Sequence, residues 1–565
     1  MDLDHIAFGA ARLAITGRPG QGDQPHQPAP GGDVLVFNGE IYNTRDLGRA
    51  LRAAGERCAD TASDTEVLWA ALRAWGSSAL ARLDGMFALA FYDARERTVL
   101  LARDRSGQKP LFWTATQGGL AFASEPAALV AGGWSRGQID PQSLFDFLVF
   151  LAPRQDRSFY GDVQALGPGC ALTIAANGRS RLSRYWDALD VLNRPSALSS
   201  EAFDARAARL LTQSVAACAP MGRDYAVSLS AGIDSGLVAS LASVRAPAPF
   251  LETLSIQASS PFDEAADAAR LARRITARGH RITKLDAMVY AAALKDLSAR
   301  SPNGPIATPD MVLVSHLCHN LARDGIRVLM TGDGADELGG YPSYRSFAAL
   351  DATPGQDGAF GSSQRHIQLL APDAAGALWR GPPVDNPLAS LTAIAAAIDP
   401  HLLDAGHRRL AATDFRFRLP QLMAPRMDLA SMAQGVELRA PFLCNGLIDL
   451  CLAAPSALKF DAGGPKRPFR RLFAQRLGAA RLPRRKLGFG RVLTPFLDTL
   501  SRADLARLLA RDSALGAFID IGRLRERVDQ GRVNGFEAFA FVALDRWLER
   551  SVAQPFDLAA RQPAA

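Results

Sequence analysis

From residue 224 onward the sequence alternates strand, glycine-bearing turn and helix, and this alternation restricts the fold more than any other feature. "YAVSLS" leads into "AGIDSGLVASLAS", "LETLSIQ" into "DEAADAARLARRITARG", and "IRVLMTGDGADELGGY" ends a further strand in a Gly/Asp turn. Strands joined by helical crossovers pair in parallel, need helices on their faces, and bind ligands at their carboxyl ends. An α/β domain is therefore predicted. The first 125 residues differ: "DLGRALRAAG" (46–55) and "DTEVLWAALRAWG" (64–76) have helical apolar spacing, while "MFALAFYDARERTVLLARD" (86–104) reads as two strands about the turn "DARER". Residues 187–203 mix Pro, Ser and Asp and read as a connection, with the next helix starting near 200. Residues 351–363 read as a mobile loop, and 364–550 as mostly helical with an Arg-rich segment at 465–491. The expected division is a first domain at 1–190, a second at 200–550 and a frayed tail at 551–565.

Composition excludes several classes. No run of 18 apolar residues occurs, and "MDLDHIAFGA" has no basic segment ahead of an apolar one, so neither a membrane span nor a secretory signal is expected and a cytoplasmic location is. The net charge of +7 is not gathered into a Lys/Arg block, which points to phosphate-bearing small molecules rather than nucleic acid. Six cysteines without CxxC spacing suggest buried free thiols rather than a zinc site or a disulfide framework. Only six lysines occur against 58 arginines, so a lysine in a motif marks a place where a compact ammonium is wanted instead of a planar guanidinium.

In "SLSAGIDSGLVAS", Ser230, Gly232, Asp234 and Ser235 lie between a strand and a helix, where small residues admit an anion and the helix start supplies N–H donors. The spacing is neither GxxxxGK[ST] nor GxGxxG. It resembles the SGGxDS loop of PP-loop ATP pyrophosphatases, with Ala231 in place of the second glycine, a change that leaves the loop intact at negative φ. Alone, the loop also reads as a plain helix N-cap. The second turn, "TGDGADELGGY", argues against that, because it places Gly332, Asp333, Asp336 and Glu337 at another strand end, where carboxylates can bind Mg²⁺ and steer an amino group.

Together with "NGEIYN" (38–43), "SDTEVL" (63–68), "GMFALAFYD" (85–93), "RDRSGQKPLFW" (103–113), "FASE" (122–125), "SMAQGVELRAPFL" (431–443) and "RRKLGFG" (484–490), these motifs resemble the glutamine-dependent asparagine synthetases over nearly the whole chain. The resemblance implies an N-terminal four-layer amidohydrolase (Ntn-type) α+β sandwich that frees ammonia from glutamine. It implies a following α/β PP-loop ATP pyrophosphatase domain, helical towards its C-terminus, that adenylates the aspartate side chain with Mg-ATP and lets ammonia displace AMP. Asp234 and Asp336 would hold Mg²⁺; Ser230, Gly232, Ser235 and Gly332 would cradle phosphate; Lys486 would bring a mobile charge to it. Leu229 and the strand Leu254 to Gln257, including Ile256, would line the adenine pocket, with Asp263 on the phosphate side. Asp333 would assist the second step, and Glu337 and Arg426 would grip the amino acid. A homodimer through the first domain is also implied. A β-lactam synthetase, a lasso-peptide cyclase or an amidotransferase acting on another carboxylate shares this chemistry, and a catalytically dead binding protein is a further alternative.

For glutamine, the resemblance assigns Arg12 to the substrate carboxylate, Asn38 and Gly39 to an oxyanion hole, and Glu40 and Asp64 to the α-ammonium. The family's nucleophile is an N-terminal cysteine several dozen positions ahead of the segment Arg12 to Thr16. Only eleven residues precede Arg12 here and the first cysteine is Cys58. The expectation is that the sequence as written cannot form the glutamyl thioester. Either the chain begins upstream, or the domain is a scaffold and free ammonia is the nitrogen source.

Overall fold

The computed structural model describes residues 6–553 except 16–19, 61, 117–118, 155, 246, 257–264, 345–366, 480–503 and 510–512, with the backbone alone at 254–256 and 552–553. The N-terminal part contributes strands β1 (Val34–Ile41), β2 (Gly85–Asp93), β3 (Thr98–Arg103), β4 (Phe112–Thr116), β5 (Gly119–Ala123), β6 (Gln164–Ala165), β7 (Cys170–Ile174) and β8 (Ser180–Arg184). They form an antiparallel five-stranded sheet, β1-β2-β3-β7-β8, and a three-stranded one, β5-β4-β6. Successive strand residues point to opposite faces, and the sequence uses both. Leu35, Phe87, Leu89 and Phe91 pack towards α1 (Thr44–Ala53) and α2 (Asp64–Trp75), while Val34, Val36, Ala88 and Ala90 pack with Trp113, Leu120 and Phe122 of the smaller sheet. The helix Pro126–Ala131 lies against β4 and β5. Helix α2 starts where "SDTE" says it should: Ser63 Oγ accepts from Glu66 N (3.2 Å) while Glu66 Oε2 accepts from Ser63 N (2.6 Å). The expected strand pair about "DARER" is present as β2 and β3.

The connection is not all coil. Asp187 caps a short helix, Ala188–Leu192, before the long helix Ser200–Cys218 begins at the expected place. The second part is built on β9 (Ala226–Ser228), β10 (Phe250–Ile256), β11 (Gly279–Leu285), β12 (Val328–Met330) and β13 (Glu437–Arg439). All pairs are parallel, in the order β11-β10-β9-β12-β13. The chain winds one way from β9 to β11 and then crosses to the other side for β12. The carboxyl ends of β9 and β12 thus flank the point where the winding reverses, which is where an open parallel sheet leaves a crevice. Of the described residues in the proposed tail and the loop at 351–363, only 551–553 are placed, as the end of the helix Gly535–Ala553. All six cysteines are free, five buried and Cys58 partly exposed. Among the described residues no helix is long and apolar enough to cross a membrane.

Candidate active site at the sheet switch point

The turn after β9 is closed by its own serines. Ser235 Oγ lies 2.9 Å from Ser230 Oγ and accepts from Ser230 N at 3.0 Å, and Ser230 Oγ accepts from Gly232 N at 3.1 Å. Ala231 is not among the described non-glycine residues at positive φ, so its methyl is accommodated as expected. The turn then opens the helix Ile233–Ala242, whose first N–H groups face the crevice end of the sheet. The turn after β12 presses against it. A Cβ on Gly332 would stand 2.8 Å from Asp234 Cβ and 3.0 Å from Ser235 N, and Gly334, at φ +89°, lies against Leu443 with no room for a side chain. Thr331 Oγ1 donates to Asp333 Oδ2 (2.7 Å) and fixes that carboxylate at the strand end.

Between the two turns stands a lysine that no sequence motif singled out. Lys466 Nζ lies 2.7 Å from both Asp234 Oδ2 and Asp336 Oδ1. Its backbone is left-handed (φ +61°) at the start of the helix Arg467–Leu477, and its N–H donates to Gly339 O at 3.0 Å. A non-glycine residue holds that conformation only where its surroundings impose it; a Cβ on Gly339 would come within 2.6 Å of Lys466 Cγ. The signal available in the sequence was the scarcity of lysine within an Arg-rich segment. As for a metal, no group of three or more His, Cys, Asp or Glu is gathered among the described residues. Two oxygen-donor carboxylates already sharing one cationic position fit Mg²⁺, which commonly takes one or two carboxylates and completes its shell with phosphate oxygens and water.

Beside this cluster lies a buried polar wall. Tyr341 OH donates to Glu337 Oε1 (2.8 Å), Arg418 stacks over the Tyr341 ring with Cζ 4.6 Å from the centroid, and Tyr344 OH donates to Asp414. Burial and the neighbouring Asp336 push the Glu337 carboxyl up from its ordinary range, and burial pushes Asp414 up to about 7 against the pull of Arg418. Arg418 and Asp414 come from Asp414–Met423, a helix widened to π-type turns with Pro420 inside it. Such turns are rare and recur at functional sites. Arg426 is placed differently. Its Nη1 donates to Thr308 Oγ1 (3.0 Å) and pairs with Asp310 Oδ2 (3.1 Å), so a carboxylate of the protein already neutralises it.

The residues expected to bind glutamine lie about the end of β1. Gly39, at φ +142°, lies so close to β2 that a Cβ would meet Met86 O at 2.0 Å. Asp64, at the start of α2, accepts from Thr65 N (2.8 Å); burial pushes its carboxyl up, with backbone hydrogen bonds and Arg12 pulling it down. Arg12 Nη1 donates to Gln21 O (3.1 Å). Glu40 reaches across the interface, where its Oε2 lies 2.9 Å from Arg439 Nη2 on β13, and Arg439 Nε donates to Glu437 Oε1 at 2.8 Å. The backbone closes the path to the second part, since Thr331 N donates to Arg439 O (3.0 Å).

The structure therefore brings Ser230, Gly232, Asp234, Ser235, Gly332, Asp333, Asp336 and Glu337 to one crevice, with Leu229 buried behind the first turn. Asn38, Gly39 and Glu40 lie together in β1, and the Asp64 carboxyl is close enough to feel the Ile41 backbone and the Arg12 charge. Lys486, Gln257 and Asp263 lie outside the described residues, as does the side chain of Ile256. Sequence reasoning missed Lys466, Arg439 and the wall of Tyr341, Tyr344, Asp414 and Arg418.

Comparison with known proteins agrees with both halves. Residues 2–186 match the glutamine amidotransferase domain family and residues 206–549 the asparagine synthase family. Glutamine-hydrolyzing asparagine synthetase 1 of Bacillus subtilis is 27% identical, over 86% of this chain and 80% of that protein. Its asparagine synthetase 3 is also 27% identical, over 80% of this chain and 75% of that protein. Amidase chyE of Penicillium rubens is 30% identical, over 61% of this chain and 53% of that protein.

Proposed function

Since the chain belongs to the asparagine synthase family, we infer that it makes asparagine from aspartate, ATP and ammonia, with glutamine as the amide donor of the family reaction. A carboxylate is a poor acyl donor until its oxygen carries a good leaving group. An oxygen of the aspartate side chain attacks the α-phosphorus, the bond from that phosphorus to the bridging oxygen breaks, and pyrophosphate leaves. Ammonia then attacks the acyl carbon, the bond to AMP breaks, and a proton is given up.

In this reading the two parts are a four-layer amidohydrolase sandwich and a PP-loop pyrophosphatase domain. Ser230, Gly232, Ser235 and Gly332 hold the pyrophosphate group, Leu229 and Ile256 flank the adenine, and Lys466 and Lys486 supply positive charge to the phosphates. Asp234 and Asp336 hold Mg²⁺, which adds charge neutralisation when bound. Asp333 assists ammonia in the second step, and Glu337 faces the amino acid. Arg426, paired with Asp310, keeps a supporting place beside the amino acid. Arg12, Asn38, Gly39, Glu40 and Asp64 form the glutamine pocket. A cytoplasmic homodimer belongs to the same reading.

The observation that carries it is the meeting of two acidic, glycine-bearing turns at the switch point about one lysine, with 2.7 Å to each carboxylate. The test is pyrophosphate and asparagine formation from Mg-ATP and L-aspartate, with ammonium and with glutamine as parallel nitrogen sources. Aspartate-dependent turnover with ammonium is expected. The glutamine arm reports whether the tested chain performs the glutaminase step. Folded protein that binds ATP yet turns over no aspartate with either source would overturn the assignment.

A further inference from the structure

Several arginines have a buried guanidinium nitrogen with no hydrogen-bond acceptor. All but one of these side chains donate through another nitrogen, as Arg426 does to Asp310 and Arg439 to Glu437. Arg418 is the exception. None of its N–H groups donates a hydrogen bond among the described residues, and its nearest carboxylate oxygen, Asp414 Oδ1, is 3.8 Å away. A guanidinium carries five donors in a fixed fork, and leaving such donors buried without acceptors is expensive. The arrangement makes sense when an acceptor arrives from outside the protein.

The position of Arg418 says what that acceptor belongs to. Its guanidinium lies over one face of Tyr341, whose hydroxyl holds Glu337 at 2.8 Å, and Glu337 directly follows Asp336 of the lysine-centred cluster. A cation and a carboxylate are thus held about one aromatic ring, next to the crevice in which the side-chain carboxylate is to be activated. Asp414 competes weakly for Arg418, being buried and already hydrogen-bonded by Tyr344. Arg426 differs, because its Nη1 already donates to Thr308 and Asp310 and the Asp310 carboxylate, 3.1 Å away, balances its charge.

We propose that Arg418 binds the α-carboxylate of the amino-acid substrate while Glu337 takes its α-ammonium, so that this pair selects an α-amino acid head group over other carboxylic acids. The inference rests on the asparagine reading and deepens it. The two charges of the head group are one carbon apart and match the two protein charges with opposite sign, leaving the side-chain carboxylate directed at Asp234, Lys466 and Asp336. An acid without an α-carboxylate leaves the Arg418 fork unsatisfied and forfeits a charge-assisted contact.

The test compares L-aspartate with β-alanine, which is aspartate lacking the α-carboxylate. Each is titrated calorimetrically into the full chain with Mg²⁺ and α,β-methylene-ATP, which blocks adenylation. Wild type is expected to prefer aspartate by ~10–100-fold, the range of one hydrogen-bonded ion pair. Arg418→Gln should abolish that preference while leaving affinity for the nucleotide unchanged, and Arg418→Lys, which keeps the charge and loses the fork, should fall between. Equal binding of the two ligands by wild type would overturn the proposal, as would a folded Arg418→Gln that still prefers aspartate. Should the Gln variant not fold, the Lys variant decides: an undiminished preference in it counts against the fork. Failure of the asparagine reading looks different, since wild type would then turn over no aspartate at all.

Discussion

Asp414 shows how a single buried carboxyl sets a pH dependence. Burial raises it from 3.8 to about 7, more than Arg418 and Tyr344 lower it. Between those values the folded protein holds a proton that the unfolded chain has released. The stability contributed by this group is therefore full below the unfolded value and is lost as pH rises through the folded one. Asp414→Asn keeps an acceptor for Tyr344 and removes the titration. Its urea midpoint should rise relative to wild type on going from about pH 5 to about pH 8; parallel midpoints across that interval would refute the assignment. Gly39 presents the opposite case, a residue whose missing side chain matters. With φ at +142° and Met86 O 2.0 Å from a would-be Cβ, Gly39→Ala should lower stability by about 1–3 kcal/mol, read from chemical denaturation. In the sequence the glycine of "NGEIYN" reads as a turn after a strand, whereas Gly39 lies inside β1, opposite Phe87 of β2. The reason for glycine is tertiary, the close approach of β1 to β2, and no local pattern states it.

At the scale of elements, legibility followed locality. The turns after β9 and β12 could be read because each combines a strand, a glycine turn and a helix start within a few residues. Their adjacency in the sheet follows from the winding rule for parallel strands. Lys466 could not be placed so easily, since it comes from a helix N-terminus well over 100 residues later in the chain, and only its burial reveals its role. The wide helix Asp414–Met423 was hidden too, because a Pro inside a helical pattern ordinarily signals an end rather than a widened continuation. The prediction at this scale concerns Lys466. Lys466→Met leaves Asp234 and Asp336 facing each other without their shared cation and removes a charge from the phosphate site. Aspartate-dependent pyrophosphate release should fall by ~10²-fold or more while the far-ultraviolet circular dichroism is unchanged. Near-normal turnover in this variant would show that the lysine is structural alone.

The halves share an apolar cluster and are joined as well by buried charges, whose arrangement gives one of the quoted motifs its role. In "RDRSGQKPLFW", Asp104 is buried and accepts from the backbone N–H groups of Phe87, Ser106, Gln108 and Lys109, at 3.0–3.2 Å, while the Arg103 guanidinium donates to Gly107, Lys109 and Leu166 carbonyls. The turn so fixed presents Lys109 to the other half, where Nζ meets Asp428 Oδ1 at 2.7 Å with the lysine side chain 1% exposed. Asp428 lies on the helix Ala424–Met432, which carries Arg426 and continues directly from the wide helix bearing Arg418. The scarce lysine is thus a docking residue in one place and a site residue in another. Burying two charges is repaid only while both are present, so removing one leaves the other stranded, typically at a loss of about 3–5 kcal/mol, whereas replacing both by apolar groups is often neutral. Lys109→Met should therefore lower the thermal midpoint sharply, Asp428→Leu should do likewise, and the double variant should recover most of the loss. Differential scanning calorimetry of the four proteins gives the coupling directly, and Lys109→Met should also raise the KM for aspartate as the wide helix loses its support. A double variant as unstable as the sum of the singles would mean that the pair is not what docks the halves, leaving Arg439–Glu40, Arg105–Asp449, Arg416–Asp187 and Arg154–Asp385 as the other charged links among the described residues.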